Sequence, residues 1–261
     1  MRTFCLILCA SAGCTFASPA GGGGGGGLEP GDDQPDAATQ PAPRAICDRS
    51  DPSLRLCVDF EGAIADRSAN SAAIAASGIS PMERDGEPAA SLSTSSSMHL
   101  REAATLDIQG GLALDLWIRP TGKPALGKTF WMLDNNTQYG ASFTDTGAIR
   151  CVLSGRSSDS TAQVPADGRF HHVACTYDGS MLKIFIDGDL SRCADLGGAA
   201  IVTTGVDGLA IGANLSGSDT SPQYDDRFVG GLDNVRVWAR SDLDVCAAAQ
   251  RTGCRTSCAG L

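Results

Sequence analysis

Every second residue from Leu112 to Ile118 is a large aliphatic: Leu112, Leu114, Leu116 and Ile118, in the run GLALDLWIRP. Successive side chains of a strand point to opposite faces, so this spacing writes one apolar face and one mixed face. Leu54, Leu56, Val58 and Phe60 repeat the pattern. Such a face must be covered by a second sheet or by helices. Further strands are expected at Ser97–Leu100, Thr129–Leu133, Ala148–Leu153, His172–Tyr177, Leu182–Ile186, Leu209–Gly212 and Leu232–Trp238. Asp178-Gly179 and Asp187-Gly188 have the chemistry of two-residue hairpin turns, which need positive φ. Helical spacing shows only near the end, where Ser241, with Asp244 as reciprocal partner, would cap a short helix over Val245–Gln250. The acidic residues agree: 25 are Asp and 5 are Glu, none of them Glu after Glu102, and Asp favours turns over helices. Many short strands with turn signals and no βαβ rhythm predict an all-β, antiparallel two-sheet sandwich with one short helix. No internal repeat is visible.

The chain has 11 cysteines, three of them in the first 14 residues. Arg2, the apolar run Phe4–Ala12 and the small residues before Cys14 have the form of an export signal. Ser11-Ala12-Gly13-Cys14 resembles a bacterial lipobox, in which the chain is cut before the cysteine and the cysteine is acylated. Ser11 departs from it where such sites usually carry Leu. Cleavage near Ala17 or Ala20, with plain secretion, is the alternative. Either cut leaves eight cysteines, an even number suited to four disulfides in an oxidising compartment. Residues 15–44, with the unbroken run Gly21–Gly27 followed by a stretch rich in Pro, Asp and Ala, read as a flexible linker. One domain is expected over 45–261.

Turn geometry bears on the pairing. Two-residue loops at both Asp-Gly pairs would set Cys175 opposite Leu182, and Leu182 opposite Cys193. Cys175 and Cys193 would then lie two strands, or about 9.5 Å, apart. A disulfide needs Cα atoms within about 6.8 Å, so those two should not join. Cys151, on the preceding strand, is the better partner for Cys175. Cys47 and Cys57 can close across the first loop. Cys193, Cys246, Cys254 and Cys258 remain, with their connectivity open.

A formal charge of −10 leaves nothing to track a phosphate backbone, which excludes nucleic acid as a partner. With no C-x-x-C pair and only three histidines, a zinc site is not expected. The order of segments is familiar: DRSANS at 66–71, GGLALDLWIRP at 110–120, GRFHHVACTYDGSMLKIFIDGDL at 168–190, LAIGAN at 209–214 and FVGGLDNVRVWARSDL at 228–243. It resembles the laminin-G-like, concanavalin A-like jelly-roll family, in the form common in bacterial surface proteins, over roughly residues 46–245. The resemblance implies two curved antiparallel sheets face to face. The family includes lectins, adhesion modules and some glycosidases, so fold alone does not choose a function.

Glycosidases of this family carry E-x-D-x-E on one strand, which places an acid and a nucleophile on one face. That motif is missing here. Asp187 and Asp189 have the spacing but flank Gly188 in a turn, so no catalytic residue is assigned. His171 and His172 lack a third ligand nearby and are expected to be structural. Asp66, Ser68 and Asn70 alternate in a loop and offer oxygen ligands for calcium. Asp233 shares the parity of Val235 and Val237 and is expected to point towards the core. The resemblance implies that an early loop and a late strand meet at a calcium ion, and Asp66 and Asp233 match those places. For ligand contact, Asp134, Asn135, Asn136 and Tyr139 lie in one candidate rim loop, and Asn214, Tyr224 and Asp225 in another. Trp117, Trp131 and Trp238 are on strands and are expected to be core. The expected protein is thus an exported binding module for carbohydrate or an extracellular protein, at the outer membrane or cell surface through a lipid on Cys14, or secreted. A purely structural envelope protein is the alternative, with a glycosidase of the concanavalin A-like fold ranked below it.

Overall fold

A computed structural model describes residues 46–136, 138–203 and 207–259. The expected signal, Cys14 and linker lie outside the described residues, as does Thr137. The first strands are β1 (Leu54–Val58), β2 (Ile74–Ser77), β3 (Ser80–Arg84), β4 (Glu87–Leu92), β5 (Ser97–Leu100) and β6 (Leu112–Pro120). Next come β7 (Thr129–Asn135), β8 (Tyr139–Thr144), β9 (Ala148–Leu153), β10 (Arg156–Gln163), β11 (His171–Tyr177) and β12 (Met181–Ile186). The last are β13 (Asp189–Asp195), β14 (Leu209–Ile211), β15 (Asn214–Ser218), β16 (Ser221–Asp225) and β17 (Gly230–Trp238), followed by α1 (Val245–Ala248).

One sheet runs β13–β12–β11–β6–β17–β4–β3, with β1 also paired to β17. The other runs β10–β9–β8–β7–β14–β5–β2, and β15–β16 form a separate hairpin. This is the expected antiparallel jelly-roll sandwich. Its main core takes Leu112, Leu114, Leu116 and Ile118 from β6, Val235 and Val237 from β17, and Phe143 and Ile149 from the facing sheet. Cys151 and Cys175 are joined, as expected, with Cα atoms 6.1 Å apart. The bridge runs between opposite sheets, from β9 to β11, rather than between neighbouring strands. It therefore staples the sandwich through its core.

Several register expectations are corrected. The first Asp-Gly pair does not form the loop: Asp178 N–H donates to Met181 O, so Gly179-Ser180 is the two-residue loop and Cys175 faces Ile184. Asp187-Gly188 does form its loop, with both φ positive at 50° and 80°. A bulge between Ile184 and Phe185 then sets Cys193 opposite Lys183 rather than Leu182. A bulge at Leu54/Leu56 moves Leu54 off the face of Leu56 and Val58, and Phe60 reaches the core beyond the strand with φ of 59°. Asp244, not Ser241, caps the helix, accepting from Ala247 N at 3.0 Å.

The outer face of the larger sheet is covered as well. Ala113, Leu54, Cys57 and Trp238 pack with Ile46, Cys47 and Leu243. Ala174, Phe185, Leu190 and Val245 pack with Cys193, Leu243 and Cys258. The N- and C-terminal segments thus lie across this face, tied by Cys47–Cys57, Cys193–Cys258 and Cys246–Cys254. Trp117 and Trp238 are buried here, outside the main core, and Trp131 is half-buried.

Beneath that cover sits a charged network. Asp115 is fully buried, with Arg236 Nε at 3.0 Å and His172 Nε2 at 2.8 Å. Burial alone would raise its carboxyl pKa, but the Arg236 charge and the His172 hydrogen bond outweigh it and hold the pKa below the usual value. A bulge in β17 makes the pairing possible: Asp233 lies opposite Trp117 and Arg236 opposite Asp115, with Asn234 at φ 48°. Without the extra residue, positions 233 and 236 would face opposite sides. The bulge also corrects the expected orientation of Asp233. It leaves the core side and meets Arg84 Nε at 2.7 Å, while the Arg84 guanidinium lies 4.3 Å from the Trp117 ring.

Removing one member of a buried ion pair strands the other. Asp115→Ala is therefore expected to lower stability by about 3–5 kcal/mol, measured by urea denaturation of the oxidised protein.

Candidate functional site

The loop at Asp66 is closed on itself. Asp66 accepts from the N–H groups of Cys57, Ser68 and Ala72 at 3.0, 2.9 and 2.9 Å, and from the Ser68 hydroxyl at 2.9 Å. Asn70 donates its side-chain amide to Arg55 O at 2.8 Å. Asp233, on β17, is held by Arg84. The structure thus gives these residues separate protein partners, and no group of three or more His, Cys, Asp or Glu able to hold a metal occurs among the described residues.

The two histidines are also engaged. His171 Nδ1 lies 2.8 Å from Asp187 and its Nε2 3.0 Å from Asp167, while His172 belongs to the Asp115 network. Asp187 also accepts from His172 N–H, and Asp189 from Arg255 N–H and from Arg251. Both acids of that turn are thereby used in holding it.

The first candidate rim loop points inward. Asn135 donates to Leu106 O at 3.3 Å and Tyr139 O–H to the same oxygen at 2.9 Å, both buried. Gln138 donates to Asp107 at 2.6 Å and the half-buried Asn136 to Asp207 at 2.6 Å. Residues 102–108 cross the sandwich without a strand of their own, so their polar groups must be met by side chains. This loop does that, and Asn135 and Tyr139, expected as ligand contacts, are placed where they hold the crossing segment.

The second candidate loop is the β15–β16 hairpin, and here the residues converge. Asp134, buried below it, accepts from Leu215 N–H at 2.8 Å, and Asn214 donates to Asp225 across the base. At the tip, Asp219 lies 3.3 Å from His99 Nε2 and accepts from Glu102 N–H at 3.1 Å. Tyr224 pairs with Leu215 across the hairpin. Its half-buried ring meets His99 edge-on at 6.4 Å and the Arg227 guanidinium at 5.7 Å. The result is an aromatic ring on a tethered hairpin, bordered by Asn, Asp, His and Arg. Asp219, Arg227 and His99 were not singled out in the sequence. Asp219 falls inside the expected loop, but nothing in a linear pattern links His99 to it.

A sequence model of the concanavalin A-like lectin/glucanases superfamily matches residues 92–242. The chain belongs to this superfamily. Solved structures with the same lectin-like fold include domain 4 of AbnA, a GH43 extracellular arabinanase from Geobacillus stearothermophilus, in complex with arabinotriose. It is 18% identical, with a TM-score of 0.57, over 76% of this chain and 97% of that one. The binding domain of Paraclostridial Mosquitocidal Protein 1 is 14% identical, with a TM-score of 0.56, over 75% of this chain and 51% of that one. The binding domain of Botulinum neurotoxin DC in complex with rat synaptotagmin II is 11% identical, with a TM-score of 0.56, over 76% and 51%. The chain thus spans about half the length of the toxin domains. At these identities the likeness is one of fold. No curated protein matches the chain.

In this lectin-like domain, Asp134 is the anchor whose titration can be followed. Burial pushes its carboxyl up to about 6, helped by the charge of Asp225 and opposed by the Leu215 N–H. A raised carboxyl pKa means that the fold prefers the protonated form, so stability falls as pH rises from about 4 to about 6. Asp134→Asn keeps an acceptor oxygen without the charge. The variant is expected to exceed the parent by up to about 2–3 kcal/mol at pH 7 and to match it below pH ~4, in denaturation curves taken across that range.

Proposed function

We propose that the protein is an exported, non-catalytic binding module that recognises carbohydrate or an extracellular protein through the β15–β16 rim. The observation that carries this is Tyr224, whose ring is held between His99 and Arg227 on a hairpin fixed at base and tip. A rigid aromatic face with convergent polar neighbours suits a sugar ring or a protein side chain, and its ordering cost is already met in the fold. The neighbours support this kind of partner: one structure holds arabinotriose and another rat synaptotagmin II. Four disulfides support export to an oxidising compartment. A lipid on Cys14, placing the domain at the outer membrane or cell surface, completes the proposal.

The hydrogen bonding favours binding over catalysis. A glycosidase needs two free carboxyl groups across a bond, and the spaced pair Asp187 and Asp189 is tied to His171, Arg251 and Arg255. Calcium at Asp66 and Asp233 stays a separate proposal, since an ion there would have to displace Arg84. A melting curve with millimolar calcium and with EDTA decides it; equal midpoints refute the ion.

The test of the main proposal is a glycan array and a panel of extracellular proteins, probed with oxidised protein. Saturable binding is expected. Tyr224→Ala should weaken it at least about tenfold, ~1.4 kcal/mol, with an unchanged melting temperature. A purely structural envelope protein would bind nothing on either panel.

A further inference from the structure

The outer face of the smaller sheet carries a row of side chains beside the hairpin. Ala141, Phe143, Ile149 and Cys151 of β8 and β9 belong to the core, so Gly140, Ser142, Arg150 and Val152 lie on the outer face. The register sets Trp131 opposite Ser142, Ser142 opposite Arg150 and Arg150 opposite Asp159. Directly opposed residues share a face, with Cβ atoms about 4.5–5.5 Å apart, so one row crosses β7, β8, β9 and β10. The β15–β16 hairpin lies on the same face. Its base is held by Asp134, which pairs with Gly140, and its tip by His99, whose neighbours Met98 and Leu100 are in the core.

Trp131 differs from the other two tryptophans. Trp117 has the Arg84 guanidinium at 4.3 Å, and Trp238 has that of Arg236 at 5.1 Å. Among the described residues no guanidinium stacks on Trp131, and none accepts from its indole N–H, which is not buried. The residue is held in place all the same. A Cβ on Gly140 would lie 2.8 Å from Trp131 Cζ3, so the ring lies against bare backbone of β8. The backbone N–H of Trp131 donates to Asp226 O at 2.9 Å, which joins β7 to the end of the hairpin. Further along the row, Arg150 Nε and Nη2 donate to Asp159 at 2.7 and 2.9 Å. These two side chains are 38% and 41% exposed. Their charges cancel, yet the guanidinium has N–H donors to spare and the carboxylate has lone pairs to spare.

We propose that this row is a sugar platform for a neutral oligosaccharide, with one pyranose ring on Trp131, its hydroxyls at Arg150 and Asp159, and the chain running on to Tyr224. An indole offers a large rigid apolar face with a polar handle. A charge-neutral donor–acceptor pair beside it matches neighbouring hydroxyls, each of which both donates and accepts. An anionic ligand would meet Asp159 on the row and Asp225 on the hairpin. A peptide added as a strand needs a sheet edge, and β7, β8 and β9 are interior strands. Tyr224 stands two residues before Asp226, whose carbonyl holds the Trp131 backbone, so one short chain of sugars reaches both rings. The proposal rests on the binding-module reading. It selects carbohydrate over protein and adds Trp131, Arg150 and Asp159 to the site.

The experiment titrates the oxidised full chain with neutral hexasaccharides of the gluco, manno, galacto and xylo series, their monosaccharides, and a panel of extracellular proteins. Binding is read by calorimetry and by tryptophan emission. At least one hexasaccharide is expected to bind, to shift the emission, and to outbind its monosaccharide. Trp131→Ala and Asp159→Ala should each weaken it at least about tenfold, and Trp131→Phe, which keeps a ring over Gly140, should retain most of the affinity. Asp159 is on the surface, so its variant should keep the parent melting temperature and carries the test if Trp131→Ala unfolds. Hexasaccharide affinity untouched by both Trp131→Ala and Asp159→Ala overturns the platform; if Tyr224→Ala still abolishes it, the binding-module function stands. A protein bound with no saccharide bound also overturns the platform and leaves that function standing. No binding of any probe overturns both.

Discussion

Asp115 is a full charge at the centre of the larger sheet with no exposure to water, and the sheet is built around keeping it paired. Its compensation comes from both neighbouring strands, Arg236 on β17 and His172 on β11. Each side chain reaches Asp115 in only one register. The network therefore fixes three strands against one another with more discrimination than apolar contacts alone, which tolerate a two-residue slip. The bulge at Asn234 follows from the same need, because it turns Asp233 and Arg236 to one face. That face then holds Arg84 on Trp117 and Asp233 on Arg84 as a continuation of the same layer.

A charged layer on the outside of a sheet must be shielded if its ion pairs are to stay strong. The terminal segments provide the shield, and three of the four disulfides among the described residues tie them down or close them on themselves. The fourth, Cys151–Cys175, joins the two sheets through the core. With much of the larger sheet's outer face covered, the surface left for recognition lies in the connections and on the smaller sheet's outer face. The β15–β16 hairpin with Tyr224 has preorganised side chains there, held by side-chain and backbone tethers at its base and tip.

The sandwich was legible because its signals are local. The alternation in Leu112–Ile118 and the Asp187-Gly188 turn each act within a few residues, and both appear as expected. The Cys151–Cys175 bridge was legible too, although turn geometry alone suggests neighbouring strands and the two cysteines lie on facing sheets. Three of the misplacements share one cause. Bulges at Leu54/Leu56, Ile184/Phe185 and Asp233/Arg236 each insert a residue that reverses the facing of the strand on one side of it. A period-two count cannot see them, because each is set by what the neighbouring strands need. The same holds for the sites. Asn135 and Tyr139 have the composition of a ligand loop, but the residues 102–108 that claim them lie far off in sequence.

The class of fold, the Asp187-Gly188 turn and the pairing of Cys151 with Cys175 could be read from the residues alone, because alternation, turn chemistry and bond reach are properties of short stretches of chain. Tertiary structure alone decided which polar residues became supports and which stayed available. Asp66, Asp134, Asp187 and Asp233 are the same residue type in similar local settings. Each took the role of the partner brought to it: backbone N–H groups, a hairpin base, a histidine or an arginine. A carboxylate's function follows from what satisfies its charge, and that is settled by residues up to 149 positions away.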